Sequence, residues 1–193
     1  SILGFVHVGD KYENAFWSGK CMYFGDGGNY FKELSKSLDI VAHEYTHGVV
    51  EYTANLEYKF QSGALNEAYA DIFACMVDRE DWLMGEDVTI AGPGFLRSLV
   101  EPGKGLSPLP ANMDEYQNLP LEQDNGGVHV NCGIPGRAAY LIAEGLTKEG
   151  HDAGIGREKT EKIFYRALKL HLTRQSNFAD CRRATVQSAE ELY

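Results

Sequence analysis

Two short segments hold the residues best suited to chemistry: His43-Glu44-Tyr45-Thr46-His47 and Asn66-Glu67-Ala68-Tyr69-Ala70-Asp71. Histidines four residues apart lie on one face of an α-helix, one turn from each other. Both imidazoles can therefore reach a single ion at about 2.0–2.1 Å from each nitrogen. Glu44, next after the first histidine, points roughly a quarter turn away, beside such an ion without ligating it, which suits a general base. Catalytic zinc usually takes three protein ligands and keeps a fourth position for water, and Glu67 supplies the third ligand. Asp71, one helical turn further on, can accept the second N–H of a metal-bound histidine and fix its tautomer, and Asn66 can do a similar job. The chemistry implied is metal-assisted hydrolysis.

Each part alone has an ordinary alternative. The pentapeptide contains two free positions and arises by chance in helices whose histidines sit in water. Glu67 and Asp71, taken alone, read as a solvated or ion-paired helix face. Together, on two apolar helices, they favour the metal.

The elements that must position these groups follow from periodicity. Leu38, Ile40, Val41, Ala42, Tyr45, Val49 and Val50 give an apolar lining that predicts a helix over about 38–54, with Gly48 its only weak former. A second helix is predicted over about 65–79, where Ala64, Leu65, Ala68, Ile72, Phe73 and Met76 supply a broad apolar face. Upstream, Phe5-Val6-His7-Val8, Ala15-Phe16-Trp17 and Cys21-Met22-Tyr23-Phe24 read as strands, with Phe16 and Trp17 as buried aromatics. The stretch from about 87 to 128 is rich in Gly, Pro and Asn and reads as a long functional loop. Beyond it, helices are predicted at about 133–145, 157–172 and 176–192, the last capped by Ser176.

Four blocks of the chain resemble the thermolysin-like metallopeptidases. They are Asn14-Ala15-Phe16-Trp17 with Tyr23-Phe24-Gly25-Asp26-Gly27, then Asp39 through His47, then Ser62 through Asp71, then Asp124 through Asn131. The resemblance implies an α+β, zincin-like catalytic core, with short N-terminal strands, a predominantly helical C-terminal lobe and the cleft between them. Residues 1–60 would form a residual β lobe plus the first metal-bearing helix, and residues 61–193 the helical lobe. It implies that His43, His47 and Glu67 bind zinc and that Glu44 deprotonates the attacking water and hands the proton to the leaving amine. By the same likeness His129, helped by Tyr58, stabilises the tetrahedral oxyanion, and Asp124 orients His129. Arg97 would bind a substrate carbonyl and brace the site. Asn14 and the backbone of Ala15 would hold an extended peptide. Phe31, Leu34, Ile40, Val88 and Leu96 would line a pocket for a hydrophobic residue after the scissile bond, although all five are also ordinary core candidates. Asp39, Asp78, Asp81 and Glu86 resemble part of a calcium site, in a loop shorter than is usual for the family. A merely solvated acidic loop is the alternative.

Composition agrees with an enzyme of this kind. The 193 residues, 44% hydrophobic, suffice for one substantial core. A net charge of −10, from 28 acidic and 18 basic residues, argues against nucleic acid or an anionic membrane surface as partner and suits calcium and a peptide or protein substrate. No run has the length of a membrane span, and Ser1-Ile2-Leu3-Gly4-Phe5-Val6 lacks the features of a signal peptide. The resemblance nevertheless implies a secreted enzyme, with a cytosolic, processed or fragmentary chain left open. Cys21, Cys75, Cys132 and Cys181 are scattered without CxxC spacing and read as thiols, with Cys132 a point of oxidation beside the active-site loop. The family's larger N-terminal β lobe is represented only by its last strands. An edge strand lacking partners would favour self-association or pairing with a missing N-terminal segment. Two functional classes follow: a zinc endopeptidase, or an inactive relative that keeps the ion-binding core as an interaction module.

Overall fold

A computed structural model describes residues 2–146 and 153–193. Three short strands, β1 (Gly4–Phe5), β2 (Ala15–Trp17) and β3 (Met22–Phe24), form a sheet in the order β1-β3-β2. β2 and β3 are an antiparallel hairpin, whereas β1 pairs in parallel with β3. The strand expected through Val8 stops at Phe5. His7 adopts a left-handed φ of 59°, which breaks the extended run.

Against this sheet packs α1 (Leu38–Glu51), which carries both motif histidines. Gly48 makes the approach possible, since a Cβ there would lie 3.1 Å from the Trp17 ring. The helix ends three residues earlier than its periodicity predicts. Tyr52 to Ala54 form a turn, and Asn55, at a φ of 51°, returns its N–H to the Val50 carbonyl.

α2 (Phe60–Val77) begins five residues before its expected start and is the centre of the molecule. Tyr69, Leu65 and Ile72 are fully buried, and so are Ala64, Ala68, Ala70 and Ala74 on other faces. A helix that is apolar nearly all round belongs inside a core. It packs on α1 and on the C-terminal helices α3 (Asp124–Asn131), α4 (Gly133–Glu144), α5 (Arg157–Arg166) and α6 (Phe178–Leu192). α5 continues as a π-helical turn over Ala167–His171, so the helix predicted at 157–172 is present with its last turn widened. The cap of α6 is Asn177 rather than Ser176. Asn177 accepts from the Asp180 N–H while Asp180 accepts from the Asn177 N–H, a reciprocal capping box.

The long segment between α2 and α3 is irregular as expected, apart from the pair β4 (Leu83–Met84) and β5 (Arg97–Ser98) and short 3-10 turns. No helix among the described residues is long and apolar enough to cross a membrane. All four cysteines are free thiols.

Candidate active site

His43 and His47 project from one face of α1 towards Glu67 on α2. Their Nε2 atoms are 3.1 Å apart, and each lies 3.4 Å from a Glu67 carboxylate oxygen. Among the described residues, this is the one group that brings three such ligand atoms within 4.8 Å of one another. The opposite ring nitrogens are occupied. His43 Nδ1 donates to Asp71 Oδ1 at 2.8 Å and His47 Nδ1 donates to Asn66 Oδ1 at 2.8 Å. In the neutral form, with the proton held at Nδ1, each ring turns an Nε2 lone pair inward.

This donor set fits a divalent metal ion. Glu67 is 1% exposed, and its Oε2 has no hydrogen-bond partner in the protein. Burial disfavours the Glu67 carboxylate, but His47, His43 and His129 outweigh that and hold its pKa well below the usual range. Burial likewise opposes a charged His43, yet its bonds to Asp71 and Glu67 raise that ring to about 10. Both shifts say that the centre draws positive charge. Two imidazoles and one carboxylate are the ligand types of catalytic zinc.

Asp71 is held in turn by Arg97, whose Nε and Nη2 donate to its two oxygens at 2.9 and 2.6 Å. Arg97 is buried on β5, contrary to what most arginines do, and this fork replaces its lost hydration. Burial also disfavours charge on Asp71, but Arg97 and His43 override it and lower its pKa. Glu44 is 6% exposed and lines the same cleft; burial raises its pKa, against the pull of His43 and His47.

On the far wall stand Tyr58 and His129. The Tyr58 hydroxyl donates to Glu67 Oε1 and lies 3.0 Å from His129 Nε2. Asp124 accepts from His129 Nδ1 at 2.5 Å and from the His129 backbone N–H at 2.8 Å. This clamp depends on four successive left-handed residues, with φ of 52° at Asp124, 49° at Asn125, 83° at Gly126 and 84° at Gly127. Asp, Asn and Gly tolerate that region best, and the run folds the chain back before the helix resumes at Val128.

The cleft has a volume of ≈ 680 Å³. Asn14 and Ala15 line it, and Phe31, Leu34, Ile40 and Leu96 give it an apolar wall. Val88 is withdrawn into the core behind that wall, 1% exposed, and does not line it. Phe16 and Trp17, read from sequence as buried, also line the cleft, and Phe16 is 38% exposed, stacked on Tyr23. Cys132 is correspondingly less accessible than expected. It is 1% exposed, donates to the His129 carbonyl, and burial pushes its thiol pKa well up, so it is shielded from oxidation.

The acidic residues proposed for calcium gather near the end of α2. Asp39 accepts from the Ser37 hydroxyl and from the N–H groups of Ile40 and Gly85. Glu86 Oε2 is buried without a hydrogen-bond partner. Burial, with Asp39, Asp81 and Asp78 adding to it, pushes the Glu86 carboxyl up to about 7.

Glu13 and Glu51 also line the cleft and were not singled out by the sequence motifs. Glu51 had a legible signal, for it follows His47 by four residues and so shares the face of His43 and His47. Glu13 had none, because its partners lie on a distant loop.

A mostly helical fold with a small sheet, and two histidines and a glutamate at one buried point beside an open groove, define a protein with a metal-binding centre built on a helix pair. The thermolysin metallopeptidase catalytic domain matches residues 1–51 and the thermolysin metallopeptidase alpha-helical domain matches residues 54–193. The chain belongs to the thermolysin metallopeptidase family. It is 51% identical over 193 residues to a bacillolysin of Brevibacillus brevis, covering 97% of this chain and 36% of that protein. It is 48% identical over 195 residues to neutral protease NprE of Bacillus pumilus, covering 100% of this chain and 61% of that protein. In structure it is similar to the precursor of protealysin, a metalloproteinase from Serratia proteamaculans, with a TM-score of 0.85 and 40% identity over 98% of this chain and 63% of that one. The chain thus spans about a third of the length of the bacillolysins, 36% and 35% for the Brevibacillus brevis and Bacillus amyloliquefaciens proteins.

Proposed function

We propose that this chain is the catalytic region of a zinc-dependent endopeptidase, with residues 1–60 and 61–193 acting as one unit across the cleft. The observation that carries this reading is the convergence of two inward Nε2 lone pairs and an unpartnered, buried Glu67 oxygen beside Glu44. His43, His47 and Glu67 would hold zinc. When bound, zinc supplies a Lewis acid that polarises a peptide carbonyl and makes water nucleophilic at neutral pH.

The protein's own groups do the rest. Glu44, a stronger base for its burial, takes a proton from the attacking water and returns it to the leaving amine as the C–N bond breaks. Tyr58 and His129 donate to the oxygen that becomes negative in the tetrahedral intermediate, and Asp124 keeps the His129 ring in place for it. Asn14 and Ala15, on the open edge of β2, pair with the backbone of an extended peptide. Arg97 keeps Asp71 ionised and, from the cleft wall, can reach a substrate carbonyl. The apolar wall formed by Phe31, Leu34, Ile40 and Leu96 takes the hydrophobic side chain that follows the scissile bond.

Asp39, Asp78, Asp81 and Glu86 form a second, calcium-binding site in this reading, supported by the unpartnered Glu86 oxygen.

Hydrolysis of an internally quenched peptide with Leu or Phe after the scissile bond tests the proposal. The zinc-loaded chain cleaves it, and Glu44→Gln, equally folded and metal-loaded, is slower by about 10²–10⁴-fold. A folded, zinc-loaded chain that cleaves no such peptide would instead be a metal-binding module.

A further inference from the structure

Glu51 continues the metal-binding face of α1 into the groove, one turn beyond His47. Its Oε2 accepts from the Trp17 indole N–H at 2.7 Å, so the side chain is fixed against the substrate-facing edge strand. Its Oε1 has no hydrogen-bond partner and no cation within ion-pair distance among the described residues. The other rim carboxylate differs. Glu13 accepts from the backbone N–H groups of Asn29, Tyr30 and Phe31 at 2.9, 2.7 and 3.1 Å, so each of its oxygens already has a partner within the protein. Arg97, the arginine of the cleft lining, is committed to Asp71. Outside the group of His43, Glu44, His47 and Glu67, and among the described residues, the unpartnered carboxylate oxygen of the cleft lining is therefore on Glu51.

Its place along the groove follows from helix geometry. Four residues advance a helix by about 6 Å, and an extended peptide covers that in about two residues. Ile40, which lines the apolar pocket, lies near the start of α1, eleven residues and about 16 Å along the helix before Glu51, so the two stand at opposite ends of this helix. Resting on the reading that this pocket receives the residue after the scissile bond, Glu51 lies on the side of the residues before it. We propose that Glu51 is a specificity-determining residue that selects substrates with lysine or arginine about two residues before the scissile bond.

The test uses quenched peptides identical except for Lys, Gln or Glu at that position, with the zinc-loaded chain and Glu51→Gln in parallel. Glutamine keeps an acceptor for the Trp17 indole and removes only the charge. For the unsubstituted chain, kcat/KM is expected to favour Lys over Glu by about two- to five-fold, the size of an exposed ion pair. The preference shrinks as salt is added and disappears in Glu51→Gln. An independent readout is binding of the same peptides to Glu44→Gln by tryptophan fluorescence. Trp17 lines the groove, whereas Trp82 is 4% exposed in the core. Equal rates and affinities for the Lys and Glu peptides, or a preference that survives Glu51→Gln, overturn the assignment. Failure to cleave any of the peptides would overturn the endopeptidase reading, while the fluorescence titration still decides the role of Glu51.

Discussion

Each side chain of the proposed site is set by what holds its far end. Asp71 and Asn66 take the Nδ1 protons of His43 and His47, and this leaves the opposite nitrogens free to ligate. Asp124 likewise orients His129 by accepting from its Nδ1, and His129 Nε2, 3.0 Å from the Tyr58 hydroxyl, can donate towards the cleft when it too carries a proton. Tyr58 and His129 form one pair over the cleft, and Tyr58→Phe removes half of it, taking a hydrogen bond from Glu67 but leaving the partners of His43 and His47 in place. Tyr58→Phe is expected to lower kcat by about 10²-fold with KM little changed, as measured by steady-state hydrolysis of one peptide over a concentration series. A large rise in KM with kcat intact would instead place Tyr58 in ground-state binding.

At the scale of elements, α1 and α2 lie face to face so that three ligands from two helices meet, and the segment after α2 must then return to support them. Arg157 ties that segment down, donating to the carbonyls of Cys75 and Asp81 at 2.8 and 2.6 Å and lying 4.2 Å over the Trp82 ring. The cost of the return is a cluster of carboxylates. Glu86 is pushed up from 4.5 to about 7 in the fold, so its ionisation costs stability progressively as pH rises from about 4.5 to 7, and the loss is complete above that. Without calcium, Glu86→Gln should be more stable than the unsubstituted chain at pH 8, and the difference should vanish at pH 4. Added calcium should raise the melting temperature of the unsubstituted chain at pH 8 and do so less for Glu86→Gln. Thermal melts at the two pH values, with calcium or with a calcium-selective chelator, check both statements.

For the molecule as a whole, α6 is fastened to the widened turn after α5 by Glu191. Arg166 Nε donates to its Oε2 at 2.6 Å, His171 Nε2 lies 3.0 Å from the same oxygen, and Gln187 donates to Oε1 at 2.8 Å. Those partners, Arg166 first, lower the Glu191 carboxyl to about 2. A depressed carboxylate stabilises the fold above its unfolded pKa of 4.5 and loses that contribution as pH falls towards 2. The melting temperature of Glu191→Gln should thus lie below that of the unsubstituted chain at pH 6, with the gap closing between pH 4.5 and pH 2. A gap that stays constant over that interval would show that packing, not charge, holds α6.

Sequence by itself determined the two helices that carry His43, His47 and Glu67 and the faces on which these residues stand, because helical periodicity and the i to i+4 spacing are local properties that burial then reinforces. It also carried the C-terminal helices, down to the 157–172 segment whose last turn is π-helical. Boundaries shifted wherever a single backbone torsion intervened, as at His7, Asn55 and Phe60, all with positive φ. Only the tertiary structure decided that β1 pairs with β3 instead of its neighbour, that Phe16 faces the groove, that Val88 retreats from it and that Cys132 is shielded. It alone set Arg97 on Asp71 and left one oxygen of Glu51 unclaimed. These outcomes depend on contacts between residues 26, 34 or more positions apart, and no local period records which distant group will use a side chain's hydrogen bonds.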